Sequence, residues 1–294
     1  MRRLIPEHWC WRAEVPDRPT IGMPQWLTVP HQVVDVFLSV DTAITRGELI
    51  HRDSSRDKEF HFQDWFGARL ASAGILFDQG GRNSYPDFTL VNSPEGFEVK
   101  GLGYPGREAD YDCNSQVPVG THNGRDVYYV FGRYPSNAIE PEYPVIDLVV
   151  CHGSLLNADS DYVHLNKSIR AFGTYGDILL RDRKMYVAPT PFALLEGTTG
   201  QRTLILPAGT ASDDRLTPAG EFERVEVNEL LATYTFDLTQ NDLIPGFMPN
   251  PNGGMQHLFE AFRIRNTEGP QVNLRAAIAP APSIEPDIEP EGDI

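Results

Sequence analysis

Pro86-Asp87-Phe88-Thr89-Leu90-Val91, followed by Asn92-Ser93-Pro94-Glu95-Gly96 and then Phe97-Glu98-Val99-Lys100, decides how this chain reads. Turn residues separate two short runs rich in β-branched and aromatic side chains, the pattern of a strand, a tight loop and a returning strand. Side chains alternate along a strand, so Glu98 and Lys100 share one face while Val99 turns to the other, toward a core. Pairing Val91 with Gly96 across the loop sets Asp87 opposite Lys100 and Phe88 opposite Val99. That register gathers Asp87, Glu98 and Lys100 on one side of the hairpin, and a slip of one residue would separate them.

Two carboxylates and an amine in that arrangement suit hydrolysis of a phosphodiester. Carboxylate oxygens hold a hard divalent cation such as Mg2+ and leave coordination positions for water and a phosphate oxygen. The lysine ammonium orients the attacking water or steadies charge in the transition state. Pro86-Asp87, ten intervening residues and Glu98-Val99-Lys100 resemble the PD-(D/E)xK nuclease superfamily, which includes most type II restriction endonucleases. The match covers about fifteen residues and the strands around them. The resemblance implies that Asp87 and Glu98 ligand the metal, that Val99 lends its backbone carbonyl, and that Lys100 is catalytic. It also implies Mg2+ as cofactor, with Mn2+ able to substitute, and an α/β, restriction-endonuclease-like fold. In that fold a central mixed β-sheet is flanked by helices, here with β-rich additions toward the C-terminus.

Composition bounds these expectations. A chain of 294 residues can bury a large core and accommodates one domain with appendages. No apolar run approaches the roughly 18 residues a membrane helix needs, and Met1-Arg2-Arg3 leads into polar sequence rather than an apolar signal segment. The three cysteines, Cys10, Cys113 and Cys151, form no CxxC pair, which argues for reduced thiols and a cytoplasmic setting, bacterial or archaeal by the resemblance. The net charge of −16 excludes a protein that coats nucleic acid by bulk electrostatics, although an acidic exterior can surround a basic groove. Glu285, Asp287, Glu289, Glu291 and Asp293 concentrate five of the negative charges at one end. Only Lys58, Lys100, Lys167 and Lys184 are lysines, and arginine's planar fork suits contact with guanine or phosphate.

Residues 1–30, with five prolines and with Trp9, Trp11 and Trp26, read as an irregular arm. The domain proper is expected over 31–275, and an acidic, Pro-rich flexible tail over 276–294. Apolar spacing gives a helix over 31–45 and a stronger one over 59–73. In the superfamily a helix at this place often brings an acidic or amide side chain near the metal, and Glu59, Gln63 and Asp64 are the residues available. A strand is expected over 75–77, followed by a loop in which Arg82 and Asn83 are placed to touch phosphate. The GxGxxG at Gly101–Gly106 lacks the helix a dinucleotide site requires.

Further strands are expected over 126–134, 145–151 and 201–207, the second with Asp147 as an odd polar residue in an apolar run. Asn114, Ser115 and Gln116 sit in a loop dense with hydrogen-bonding groups and are expected to contact DNA, at phosphate or a base edge, or else to close a self-bonded turn, and His122 has no partner at ligand spacing. Lys167, Arg170, Arg181, Arg183 and Lys184 form the one local basic cluster and are the expected DNA-facing patch. Residues 178–187 read as a strand pair or one long strand, 221–237 have no clear period, 245–254 read as loop, and 255–264 as helix or strand.

These features together give the expectation of a site-specific, double-strand DNA endonuclease acting as a homodimer, since cutting both strands of a palindrome calls for two sites related by a twofold. A modification-dependent nuclease, or a member of the same fold that binds DNA or protein without cutting, is the alternative.

Overall fold

The computed structural model describes residues 32–52, 58–81, 84–106, 110–114, 117–136, 141–158, 186–194, 200–210 and 213–265. Helix α1 (Gln32–Thr45), strand β1 (Ile50–His51) and helix α2 (Lys58–Ser72) come first. Strands β2 (Phe77–Gln79), β3 (Phe88–Leu90), β4 (Glu95–Tyr104), β5 (Asp110–Asn114), β6 (Thr121–His122), β7 (Arg125–Pro135), β8 (Glu142–Tyr143) and β9 (Asp147–His152) follow. After a 3-10 turn at Gly153–Leu155 come β10 (Tyr186–Pro189), a second 3-10 turn at Pro191–Leu194, β11 (Arg202–Pro207), β12 (Leu216–Val225), β13 (Glu229–Asp237), β14 (Asp242–Pro249) and β15 (Gln256–Ile264).

Nine of these strands make one sheet in the order β12-β15-β11-β9-β7-β4-β3-β2, with β6 on the early part of β7. The sheet is mixed: β4 and β7 run parallel, as do β9 and β11, and the other neighbours are antiparallel. This is the α/β class expected, with a large mixed sheet and few helices. The central strands are buried on both faces, which is why β7 and β9 read as nearly continuous apolar runs.

Each face has its own core. On one, Val33, Val36, Phe37 and Val40 of α1 and Phe62, Trp65, Phe66 and Leu70 of α2 pack over Phe88, Phe97, Val99, Val130, Val150 and Leu204. Phe62 takes the space a side chain at residue 132 would need, since a Cβ built on Gly132 would overlap its ring. On the other face, Tyr111 and Cys113 of β5, Ala188 of β10 and Phe192 cover Val127, Tyr129, Phe131, Val149, Cys151 and Ile205. Among the described residues both helices therefore lie on one face, and a two-stranded β5–β10 ribbon covers the other. The sequence reading had helices flanking the sheet without distinguishing its faces.

Two local expectations are corrected, and two left open are settled. The strand expected over 75–77 starts at Phe77, because the Ile75 N–H is used to close α2, donating to the Leu70 carbonyl at 3.0 Å. The loop expected over 245–254 begins only after β14, whose Pro245 is tolerated because, among the described residues, β14 has a partner on one side alone. The aperiodic 221–237 stretch is the end of β12 and all of β13, with a break between them, and 255–264 is strand β15. β4 runs straight through Gly101 and Gly103, so no helix starts at the GxGxxG.

Candidate active site

Phe88 and Leu90 hold β3 against the helix-covered core, so Asp87 and Thr89 face the other way. On β4, Phe97 and Val99 enter the same core while Glu98 and Lys100 share the opposite face with Asp87. The register is Phe88 with Phe97 and Thr89 with Gly96, two residues from the expected pairing of Phe88 with Val99. A shift of two preserves which side chains share a face, so Asp87, Glu98 and Lys100 still come together. Gly96 lets the two strands approach: the Pro86 ring lies 2.5 Å from where its Cβ would be, a place only glycine leaves open.

Asp87 Oδ2 accepts the Val99 N–H at 2.9 Å, which fixes the carboxylate against the peptide that follows Glu98. A strand residue points its N–H and C=O to the same side, so the Val99 carbonyl faces the Asp87 side as well. Lys100 Nζ lies 3.0 Å from Glu98 Oε1, and both side chains are only 12% exposed. Glu98 Oε2 is buried and has no hydrogen-bond partner. A buried carboxylate oxygen without a donor is costly unless something else meets it.

The wall beside this trio is tyrosine-rich. Tyr129 stands opposite Glu98 on β7 and Phe131 opposite Lys100. The Tyr129 and Tyr85 hydroxyls are 2.9 Å apart, and Tyr111 packs edge-on to Phe131 at 5.1 Å. Burial, and then the Glu98 charge, push the Tyr85 phenol well up, so it stays protonated at neutral pH. Burial pushes the Tyr129 phenol up and takes the Cys113 thiol to about 12. His122, left without a role by its spacing, lies edge-on to the Tyr85 ring at 4.9 Å, and partial burial lowers its pKa.

The donor set fits a hard cation. Asp87, Glu98 and the Val99 carbonyl are all oxygen donors, and Glu98 Oε2 is buried without a hydrogen-bond partner. Among the described residues no three of the His, Cys, Asp and Glu side chains cluster as a metal site. Mg2+ does not need three, since it keeps several waters and binds through one or two carboxylates.

The remaining expected residues fall elsewhere. Gln63 is half-buried on α2, the helix packed against the opposite face, and makes no hydrogen bond to Asp87, Glu98 or Lys100. Glu59 belongs to the same helix, but its side chain lies outside the described residues. Asn114 ends β5 with its side chain outside them too, as are Arg82, Ser115, Gln116, Lys167, Arg170, Arg181, Arg183 and Lys184. Asp147, ambiguous in sequence, is structural: Oδ2 accepts from Arg133 Nε at 2.7 Å and Oδ1 from the Gln201 N–H at 2.7 Å. Sequence reasoning missed Tyr85, Tyr111 and Tyr129. The Tyr128-Tyr129 pair in β7 signals one tyrosine per face, but which one neighbours Glu98 depends on the parallel register. No family model, curated protein or solved structure matches the chain.

Proposed function

We propose that this chain is a Mg2+-dependent endonuclease that hydrolyses phosphodiesters in double-stranded DNA, a site-specific enzyme of the restriction type acting as a homodimer. The observation that carries the reading is the convergence of Asp87, Glu98 and Lys100 on one sheet face, with Glu98 Oε2 buried and partnerless. Asp87, Glu98 and the Val99 carbonyl would hold the metal. When bound, Mg2+ acidifies water and offsets negative charge on the phosphate.

The chain's own residues do the rest. The Val99 N–H holds Asp87 in one orientation, so its second oxygen is presented without a search over rotamers. Glu98 steadies the Lys100 ammonium, which donates to the attacking water or to a phosphate oxygen as charge develops there. Tyr85 and Tyr129, kept protonated, close one side of the site against bulk water and strengthen the electrostatics inside it.

The low exposure of Glu98 and Lys100 favours a second reading, a non-cleaving member of the same fold that binds DNA or protein. One assay separates the two: purified protein with phage and plasmid DNA, both unmodified and carrying modified bases, in Mg2+ and in EDTA. Discrete fragments in Mg2+ alone, lost in Lys100→Ala, support the nuclease, and their mapped ends give the recognition site and stagger. Intact DNA under every condition, from protein that is folded, would leave the non-cleaving reading.

A further inference from the structure

Counting protons on the tyrosine wall leaves one donor without an acceptor. The Tyr85 and Tyr129 hydroxyls lie 2.9 Å apart, so one proton serves that contact and the pair has a second O–H to place elsewhere. Tyr129 is buried in the core of the site face, and among the described residues its hydroxyl meets no acceptor other than Tyr85. Tyr85 is only half-buried. A proton left over on Tyr129 would be stranded inside the core, whereas one on Tyr85 lies at the core's edge, so the less costly arrangement has Tyr129 donating to Tyr85. The Val119 N–H approaches the same Tyr85 oxygen as a second donor. With both lone pairs engaged, the Tyr85 O–H is the proton that remains.

This hydroxyl belongs to the site by position. Tyr85 stands two residues before Asp87, and β4 lies between β3 and β7, so the Tyr85 side chain passes over β4 beside Glu98 to reach Tyr129. Burial and then the Glu98 charge raise its pKa, and the Lys100 ammonium acts in the opposite sense, so both members of that ion pair reach the phenol. The ring is braced from its far side: His122 packs edge-on at 4.9 Å, and Asn123 Nδ2 lies 3.0 Å from His122 Nε2. A donor fixed before its ligand arrives has little reorganisation left to make.

Beside the trio, then, stand one acceptor without a donor, Glu98 Oε2, and one donor without an acceptor, the Tyr85 O–H. The acceptor suits a cation and the donor suits an oxyanion. A phosphodiester bound through a divalent cation brings both.

We propose that the Tyr85 hydroxyl is a catalytic hydrogen-bond donor to a non-bridging oxygen of the phosphodiester at Asp87, Glu98 and Lys100, with Tyr129 as the residue that positions it. The assignment rests on the nuclease reading. Steady-state cutting and urea unfolding of full-length variants test it. Tyr85→Phe should slow kcat on the order of 100-fold with little change in KM, and it should also weaken the fold, because the buried Tyr129 hydroxyl loses its acceptor. Tyr129→Phe keeps the Tyr85 proton and should slow cutting less. The Tyr85→Phe, Tyr129→Phe double variant removes both hydroxyls, so its unfolding curve should return toward the parent's while its rate stays as low as that of Tyr85→Phe. It also carries the test if Tyr85→Phe misfolds. A phosphorothioate at the mapped cut accepts hydrogen bonds poorly, so one of its two diastereomers should slow the parent more than it slows Tyr85→Phe. A double variant that regains the parent's rate along with its stability, or equal phosphorothioate effects in the parent and Tyr85→Phe, would overturn the assignment and leave the nuclease standing. A parent that cuts no DNA in Mg2+ ends the nuclease reading and this assignment together.

Discussion

Arg133 and Asp147 meet on the same sheet face as Lys100 and Glu98, in the next two strands. Lys100 neighbours Phe131, and Leu102 neighbours Arg133, so the two ion pairs are one alternation apart. Their surroundings differ. Both oxygens of Asp147 accept hydrogen bonds, and the Arg133 guanidinium lies over the Tyr104 ring at 4.9 Å and the Phe192 ring at 4.4 Å. Glu98 has one oxygen on Lys100 and the other buried with nothing to accept from. A buried pair whose valences are all met serves the fold. A pair that leaves one carboxylate oxygen unsatisfied carries a cost that a ligand can remove.

The comparison breaks first at activity. Lys100→Ala should cut DNA on the order of 1000-fold more slowly, the upper range for losing one preorganised charge donor, and it also costs stability because Glu98 is left buried without its cation. Asp147→Ala should act through stability alone. It leaves the buried Arg133 without its carboxylate and removes the acceptor of the Gln201 N–H, a loss of about 3–5 kcal/mol in urea unfolding. If Lys100→Ala unfolds the chain and Asp147→Ala is benign, the roles assigned to the two pairs are exchanged and the site is misplaced.

The unsatisfied oxygen sharpens the contrast through linkage. A cation that binds only the folded chain stabilises it by about 2.7 kcal/mol at 100 times its Kd. Thermal or urea unfolding should therefore shift upward with Mg2+ in the parent and in Asn or Gln variants remote from the trio. Glu98→Gln should abolish most of that shift. An equal Mg2+ response in Glu98→Gln would show that the cation binds elsewhere.

How much of this was legible in the sequence follows from how far apart the deciding contacts lie. The hairpin, its two faces and both helices depend on alternation and helical spacing within a few residues, and those were readable. The register was off by two, yet the trio survived because parity, not exact pairing, decides which side chains share a face. Asp147 was opaque because its partners are Arg133, fourteen residues back, and Gln201, fifty-four residues ahead. Tyr85 and Tyr111 gain meaning only once β5 folds across the site face. The β13–β14 ribbon was missed because its described side chains show no alternation of buried and exposed positions, and Pro245 argued for loop.

The smallest effect tests the two faces rather than the two pairs. Cys113 and Cys151 both lie in the core of the site face, and among the described residues the core under the helices holds no thiol. Burial pushes the Cys113 thiol from 9.0 to about 12. Below the ordinary value the group is protonated in both folded and unfolded chains and contributes nothing to pH dependence. Above it only the unfolded chain sheds the proton, so stability falls as pH rises through that window, by about 1.4 kcal/mol near pH 10. Cys151 and the buried tyrosines add losses of the same sign, which burial also causes. Comparing urea unfolding near pH 7 and pH 10 for the parent and for Cys113→Ser cancels those shared losses and the constant cost of the serine. The parent should lose about 1.4 kcal/mol more than the variant over that interval. Parallel losses would mean that the β5 side of the sheet admits water to the thiol, and with it that the tyrosine wall does not shield Glu98 and Lys100.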